Sequence, residues 1–281
     1  MHSMSLSLLY LFFAMVSIQS GASLAKQLFP VAGPAGTTGL RVGFAALVLL
    51  AIWRPWRVRF SKTQILDILF YGISLGLMNI LFYLSLAKIP LGIAVGVEFT
   101  GPLVLALLSS KKWIDLVWAV IAGLGIYMIL PHNQGSEALD LVGILLALGA
   151  GFFWALYIVF GQRASRGGHS SGHVTAVGMT IAALSVLPFA VILNGEALIN
   201  VSLWPMGLLI GVLSSALPYS FEMMALKNIP TKTFGVLMSF EPAMAALAGF
   251  LFLHESLSLP QLFAIACIMV ASAGATATAR A

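Results

Sequence analysis

Apolar stretches of about twenty residues recur along almost the whole chain, separated by short polar segments. A helix of about 20 mostly apolar residues crosses a hydrocarbon layer about 30 Å thick and satisfies its own backbone hydrogen bonds in lipid. Only 8% of the 281 residues are charged and 60% are hydrophobic, whereas roughly 25% are charged in an ordinary soluble domain. The sequence therefore predicts an all-α polytopic membrane protein.

Ten transmembrane helices follow from the glycine, proline, asparagine and charged residues that interrupt the apolar runs. The predicted spans are residues 4–25, 35–53, 64–87, 91–109, 113–131, 138–161, 172–194, 203–226, 231–253 and 259–278. The apolar segment 6–16 resembles the core of a signal peptide, but no lysine or arginine precedes Lys26. We therefore predict that this segment is retained as the first span.

The basic residues are distributed very unequally between the two sides of the predicted helices. Of the 14 lysines and arginines, Lys26 and Lys88 fall on one side and Arg41 lies within the second span, which leaves 11 on the other side. Because cytoplasmic loops retain basic residues, both termini are predicted to be cytoplasmic. The net charge of +5 thus reflects topology, and no nucleic-acid partner is predicted.

The two halves of the chain are related by an offset of 140 residues. This offset pairs Pro90 with Pro230 and Pro102 with Pro242, so that both halves keep a 12-residue spacing between their prolines. Five spans per half is an odd number, and the halves would therefore cross the membrane in opposite senses. We predict two inverted five-helix repeats, residues 1–134 and 135–281, with a substrate site near the midplane, as in many secondary transporters.

Four ionisable side chains lie within predicted spans, namely Arg41, Glu98, Glu222 and Glu241. A charge at the bilayer centre costs at least roughly 2.5–3.5 kcal/mol, so such residues usually belong to a substrate or proton pathway. Two structural alternatives remain open. Arg41 and Glu98 could form a buried ion pair that fixes helix packing, and Glu222 could be an interfacial carboxylate close to Lys227.

Three prolines interrupt predicted spans, namely Pro102, Pro218 and Pro242. Each removes the N–H that would bond the carbonyl four residues earlier, and lipid cannot satisfy that carbonyl. A simple packing kink is an open alternative for any single proline. The repeat-related pair, Pro102 and Pro242, instead predicts two broken helices that face a shared site.

Polar and aromatic residues on other spans complete the candidate lining of this site: Gln19, Asn79, Tyr83, Trp154, Tyr157, Tyr219 and Ser239. The five histidines lack the spacing of metal ligands, so neither a metal nor another cofactor is predicted. The sequence also lacks the His-Glu-x-x-His pattern and the embedded Ser/His dyad expected of an intramembrane enzyme. We therefore predict that the protein is not an enzyme.

Five stretches carry a resemblance to a known family, and they are Met15–Lys26, Pro90–Leu103, Phe152–Tyr157, Leu217–Met223 and Leu237–Pro242. They resemble the drug/metabolite transporter superfamily, and more narrowly the RhtA-type threonine/homoserine exporters of its EamA branch. The resemblance covers about residues 15–276. It implies a ten-helix bacterial inner-membrane exporter of small amino acids, driven by the proton motive force, with spans 1, 3, 4, 6, 8 and 9 around a central cavity. That set excludes span two, which carries Arg41.

Two transport functions remain open from the sequence. An amino-acid exporter needs an anion for the substrate ammonium, which Glu98 or Glu241 could supply in exchange for a proton, and donors for the substrate carboxylate. A multidrug exporter of lipophilic cations needs a carboxylate among aromatic residues but has no use for Arg41. In either case the predicted partners are a small molecule, protons and the lipid bilayer, and the chain is expected to be a monomer or a weak homodimer.

Overall fold

The computed structural model describes residues 2–109, 112–129, 139–165, 170–218, 221 and 231–278. The regular secondary structure in these ranges is helical throughout. The α-helices are α1 (His2–Trp53), α2 (Lys62–Leu86), α3 (Leu91–Glu98), α4 (Thr100–Ser109), α5 (Ile114–Ile129), α6 (Leu141–Ser165), α7 (Ser171–Ile199), α8 (Trp204–Gly211), α9 (Thr231–Met238), α10 (Glu241–Leu253) and α11 (Leu259–Thr278). A π-helical segment, Val212–Ala216, continues directly from α8.

The first helix, α1, is bent at Gly33, where the backbone adopts φ 64° and ψ 163°. Glycine is essentially the sole residue that adopts this conformation without strain. Pro30 and Pro34 flank the bend and cannot donate backbone hydrogen bonds. The sequence predicted a connection between two spans here, and the structure instead continues the helix up to the bend.

The bend brings the two arms of α1, residues 2–32 and 34–53, to the same residue of the π-helical segment. Ser214 packs directly against Gly21 on the first arm, and its carbonyl accepts a hydrogen bond from Arg41 on the second arm. In a straight helix these two positions would be separated by about 30 Å. Contact with one residue is possible because the chain reverses at Gly33.

Seven helices in the described ranges are long and apolar enough to cross a membrane, and residues 114–129 and 201–216 form shorter apolar helices. Large apolar side chains cover the outer surface of the bundle, and Leu108, Trp113, Ile192 and Leu259 are each more than three-quarters exposed. Water would not tolerate so large an apolar surface, whereas lipid does. The chain is therefore a multi-pass membrane protein.

Two of the apolar helices are interrupted near their middle. α3 ends at Glu98 and α4 begins at Thr100, whereas α9 ends at Met238 and α10 begins at Glu241. Each interruption lies just before a proline, Pro102 or Pro242. The offset of 140 residues that relates the two prolines also relates the two interruptions.

α3 occupies the centre of the bundle, and all eight of its residues are buried. The following helix, α4, crosses α6 at Gly101 and Gly151, where the two backbones touch. A Cβ atom on Gly101 would overlap the carbonyl oxygen of Gly151, and one on Gly151 would lie 2.5 Å from the carbonyl oxygen of Glu98. This close approach fixes the position of the α3–α4 interruption against α6.

Candidate functional site

A cavity of about 310 Å³ lies where the two interrupted helices meet both arms of α1, α2, α6 and the π-helical segment. This volume is within the usual range for small-molecule sites, about 300–1,000 Å³. The lining residues are Ile18, Gln19, Ala22, Arg41, Met78, Asn79, Phe82, Tyr83, Val95, Glu98, Pro102, Trp154, Tyr157, Ile158, Ser214, Phe234, Met238 and Glu241.

Most of the residues singled out from the sequence lie around this one cavity. Ser239, Pro218 and Pro242 are buried but do not line it, and the Ser239 hydroxyl donates to the Ser272 hydroxyl at 3.2 Å. Tyr219 and Glu222 lie outside the described residues. Arg41 lines the cavity even though the family resemblance excludes its span.

Arg41 is held by uncharged groups. Its Nη1 donates to the Asn79 side-chain oxygen, its Nη2 donates to the Ser214 carbonyl oxygen at 3.2 Å, and its guanidinium carbon lies 5.2 Å from the centre of the Tyr83 ring. Within the part of the chain that the structure describes, Arg41 and Glu98 form no ion pair within 4 Å. The positive charge of Arg41 is therefore available to an anionic group in the cavity.

The contacts that hold Arg41 explain two further features of the sequence, Pro218 and Asn79. The carbonyl of Ser214 is the one that Pro218 deprives of its helical donor, and Arg41 supplies a replacement. Asn79 is fixed because its amide donates to the Leu75 carbonyl at 2.7 Å, which turns its oxygen toward Arg41.

Glu241 is the first residue of α10 and pairs with Gln19 on the first arm of α1. Gln19 Nε2 donates to Glu241 Oε1 at 3.2 Å, and both side chains are at least 95% buried. The second oxygen of Glu241 and the amide oxygen of Gln19 are buried, and neither has a hydrogen-bond partner among the residues that the structure describes. A carboxylate at the N-terminus of a helix is favoured by the helix dipole.

Glu98, the last residue of α3, differs from Glu241 in its surroundings. It lines the cavity, and the residues described by the structure give its carboxylate no hydrogen bond. Arg41 and Glu241 are both close enough to act on it electrostatically. Glu98 is thus a carboxylate that is open to the cavity between one positive and one negative neighbour.

Aromatic side chains form one wall of the cavity. Trp154 packs edge-on against Phe99 with ring centres 4.9 Å apart, and Tyr157 stacks on Tyr71 with centres 5.0 Å apart. Both residues are on α6, and Phe82 and Tyr83 of α2 continue the wall. Such a surface packs against an apolar side chain and also attracts a cation.

Sequence reasoning missed several lining residues. Ser214 is among them, because the sequence argument about Pro218 concerned only the backbone carbonyl four residues earlier. Met78, Phe82 and Met238 are apolar residues in apolar helices, and nothing in the sequence distinguishes them from ordinary packing residues.

A second polar cluster, the Lys26–Glu255 network, joins three parts of the fold beyond one end of the cavity. Lys26 of α1 bonds Glu255 Oε1 at 2.7 Å and the Ile89 carbonyl at 2.9 Å. Glu255, in the loop between α10 and α11, also accepts from the Leu91 backbone N–H at 2.8 Å. The ion pair is only partly exposed, and it connects the two sequence halves.

No three His, Cys, Asp or Glu side chains in the described ranges lie close enough together to hold a metal ion.

The known proteins to which this chain is similar include several transporters. Residues 141–277 match the EamA-like transporter family. The threonine/homoserine exporter RhtA of Escherichia coli (strain K12) is 52% identical over 275 residues, which cover 98% of this chain and 92% of that protein. An uncharacterized transporter of Synechocystis is 26% identical over 70% of this chain and 62% of its own length. A solved crystal structure with 21% identity and a TM-score of 0.64 covers 98% of both chains and shows a shared fold.

Proposed function

The chain belongs to the EamA-like transporter family, and we propose that it exports threonine, homoserine and related small amino acids across a bacterial inner membrane. One observation carries this proposal: a single buried cavity holds one guanidinium, that of Arg41, and two carboxylates, those of Glu98 and Glu241. A zwitterionic amino acid presents the complementary pair of charges.

Each pole of the substrate has a chemically suitable partner. The planar guanidinium of Arg41 is suited to two parallel hydrogen bonds with a carboxylate. A carboxylate in the same cavity receives the ammonium group. The aromatic wall packs against the remaining carbon atoms, and the small volume favours small side chains.

Export of lipophilic cations is the second candidate, and the aromatic wall with its carboxylates is the observation that favours it. Arg41 weighs against it, because a buried positive charge repels a cation that has no carboxylate to offer. We therefore place amino-acid export first.

We propose that the fold consists of two inverted five-helix repeats, residues 1–134 and 135–281. Counting the arms of α1 separately and each interrupted helix as one span gives five spans in the first half. Counting α8 with its π-helical continuation as one span gives five in the second half as well. Both termini are then cytoplasmic, and the Lys26–Glu255 network lies on the outer side.

Transport is proposed to proceed by alternating access, with protons entering the cell as the amino acid leaves. The Lys26–Glu255 network ties the two halves together on the outer side, so these contacts must separate before substrate is released outward. The cavity is formed within one chain, which is consistent with a monomer or a weakly associated homodimer.

Uptake of labelled threonine into proteoliposomes tests this function. In vesicles with an acidic interior, protons that leave are expected to drive threonine inward, and dissipating the gradient is expected to stop accumulation. Glu98→Gln should abolish gradient-driven uptake, because the substrate ammonium loses its open carboxylate. Glu196→Gln, at an exposed position on α7, is the matched control and should transport normally.

Failure to take up threonine or homoserine under any gradient would refute amino-acid export. If a cationic dye were instead transported under the same gradient, the second candidate function would replace it.

A further inference from the structure

The Gln19–Glu241 pair has too few hydrogen-bond donors. Gln19 Nε2 donates to one oxygen of Glu241 at 3.2 Å, and in the described ranges of the chain the other carboxylate oxygen and the Gln19 amide oxygen have no partner. Both are acceptors when Glu241 is ionised, and both are sealed from solvent in this conformation. Such a deficit is unusual, because buried polar atoms are nearly always hydrogen-bonded.

One proton on Glu241 would supply a donor where the pair lacks one, and it needs no additional space. Protonation converts the unpartnered oxygen into an O–H donor, and the unpartnered Gln19 oxygen is an acceptor in the same hydrogen-bonded pair. Both residues line the cavity, but these two oxygens are not exposed in it, so a substrate ammonium group would reach them only after the side chains move. In this conformation the pair is therefore better suited to a proton than to the substrate ammonium.

Glu98 presents the opposite arrangement. Its carboxylate borders the cavity and has no hydrogen-bonding partner among the residues that the structure describes. A group that enters the cavity meets Glu98 directly. Arg41 on the second arm of α1 and Glu241 on α10 are the charged side chains that face it across the cavity.

We propose that Glu241 carries the coupling proton, that Gln19 is its positioning residue, and that Glu98 receives the substrate ammonium. This division of roles rests on the proposed export function. One proton from the outer side binds the ionised Glu241 carboxylate to give the acid and later leaves to the cytoplasm, while the amino acid moves in the opposite direction. Protonation of Glu241 removes one of the two negative charges near the ammonium, so proton and substrate weaken each other's binding reciprocally.

Two transport assays separate the roles of the two carboxylates. The first is gradient-driven accumulation of labelled threonine, and the second is exchange of internal unlabelled for external labelled threonine without a gradient. Glu241→Gln imitates the protonated state permanently, so it should lose accumulation but keep exchange. Glu98→Gln should lose both activities. Circular dichroism and gel filtration in detergent establish that each variant is folded.

Gln19 is tested by the pH dependence of transport. Gln19→Leu removes the donor to ionised Glu241, so half-maximal gradient-driven uptake should move to higher pH while exchange continues. Gln19→Glu, which keeps an acceptor and can also donate when protonated, should restore part of the wild-type profile. Gln27→Leu, on the same arm but exposed and outside the cavity, should leave the profile unchanged.

The possible failures are distinguishable. If the wild-type protein transports no amino acid, the proposed export function fails. If the wild type transports but a folded Glu241→Gln variant still accumulates threonine with the gradient, or loses exchange, the assignment of roles is wrong. If Glu241→Gln does not fold, the Gln19→Leu profile decides, and an unshifted profile overturns the proposal.

Discussion

Arg41 shows how a buried charge can be supported without being neutralised. Its three neighbours in the cavity wall are an amide and an aromatic ring one turn apart on α2, Asn79 and Tyr83, and the backbone carbonyl of Ser214 in the π-helical segment. Pro218, four residues after Ser214, has no N–H to donate to this carbonyl. Among the described residues no carboxylate lies within 4 Å of the guanidinium, so the substrate carboxylate is expected to bind there.

Arg41→Lys is expected to raise the KM for threonine at least about tenfold, because a lysine cannot hold Asn79 and Ser214 and also present a planar pair of donors. Initial rates of gradient-driven uptake in proteoliposomes measure this effect. The same substitution at the exposed Arg57 serves as the control. An unchanged KM in the Arg41 variant would contradict the carboxylate role of the guanidinium.

At the residue scale, the sequence analysis selected nine of the eighteen residues that line the cavity, but not the contacts between them. Charge within apolar runs was sufficient to select Arg41, Glu98 and Glu241. Their partners could not be predicted, because helices that are apolar on all sides give no sign of which face points inward. The pairing of Arg41 with Ser214, and of Glu241 with Gln19, depends on how each helix is rotated about its own axis.

At the scale of elements, the bend in α1 determines which residues reach the cavity. Because the chain reverses at Gly33, Gln19 of the first arm and Arg41 of the second arm line the same space. Asn194 of α7 fills the region beside the bend, and its side-chain oxygen accepts from the Gly36 N–H at 3.3 Å. α7 itself departs from helical geometry at this asparagine.

Gly33→Ala is expected to destabilise the protein by about 1–3 kcal/mol, since alanine is strained at this φ and ψ. Its Cβ would also overlap the Asn194 side chain. Thermal unfolding in detergent should show a lower Tm. Gly43→Ala is the control, because that glycine lies in the second arm with no atom within 4 Å of an added Cβ. Equal melting temperatures for the two variants would argue against a strained bend.

The helix positions were largely predictable, because a helix needs about 20 mostly apolar residues to cross the membrane and such runs are visible in the sequence. The predicted span 64–87 and the observed α2, Lys62–Leu86, differ by at most two residues at either end. The bend in α1 was harder to predict from the sequence. The sequence predicted a connection between the spans 4–25 and 35–53, whereas the structure maintains helix on both sides of a single non-helical residue, Gly33.

At the scale of the whole molecule, the Lys26–Glu255 network is a connection between the two sequence halves. It satisfies a lysine, a carboxylate, a carbonyl and a backbone N–H at once. A partly exposed pair of this kind is expected to contribute modestly to stability. Under the proposed alternating access, its role is to control separation of the two halves and not to hold the fold together.

Covalent linkage across this network should stop transport. Lys26→Cys and Glu255→Cys are introduced together after replacing the buried Cys267, which is the single native cysteine. A short bifunctional thiol reagent should abolish threonine exchange in the double variant and leave both single variants active. Normal exchange by a chain shown to be cross-linked by mass spectrometry would exclude the network from the transport cycle.

The burial of the Gln19–Glu241 pair also bears on leakage. In this conformation water does not reach the unpartnered oxygen of Glu241, so a proton bound there is exchanged only when the protein moves. Under our assignment of roles, protons would not leak across the membrane through an exporter that is not transporting an amino acid. A cell could then keep many copies ready without dissipating its membrane gradient.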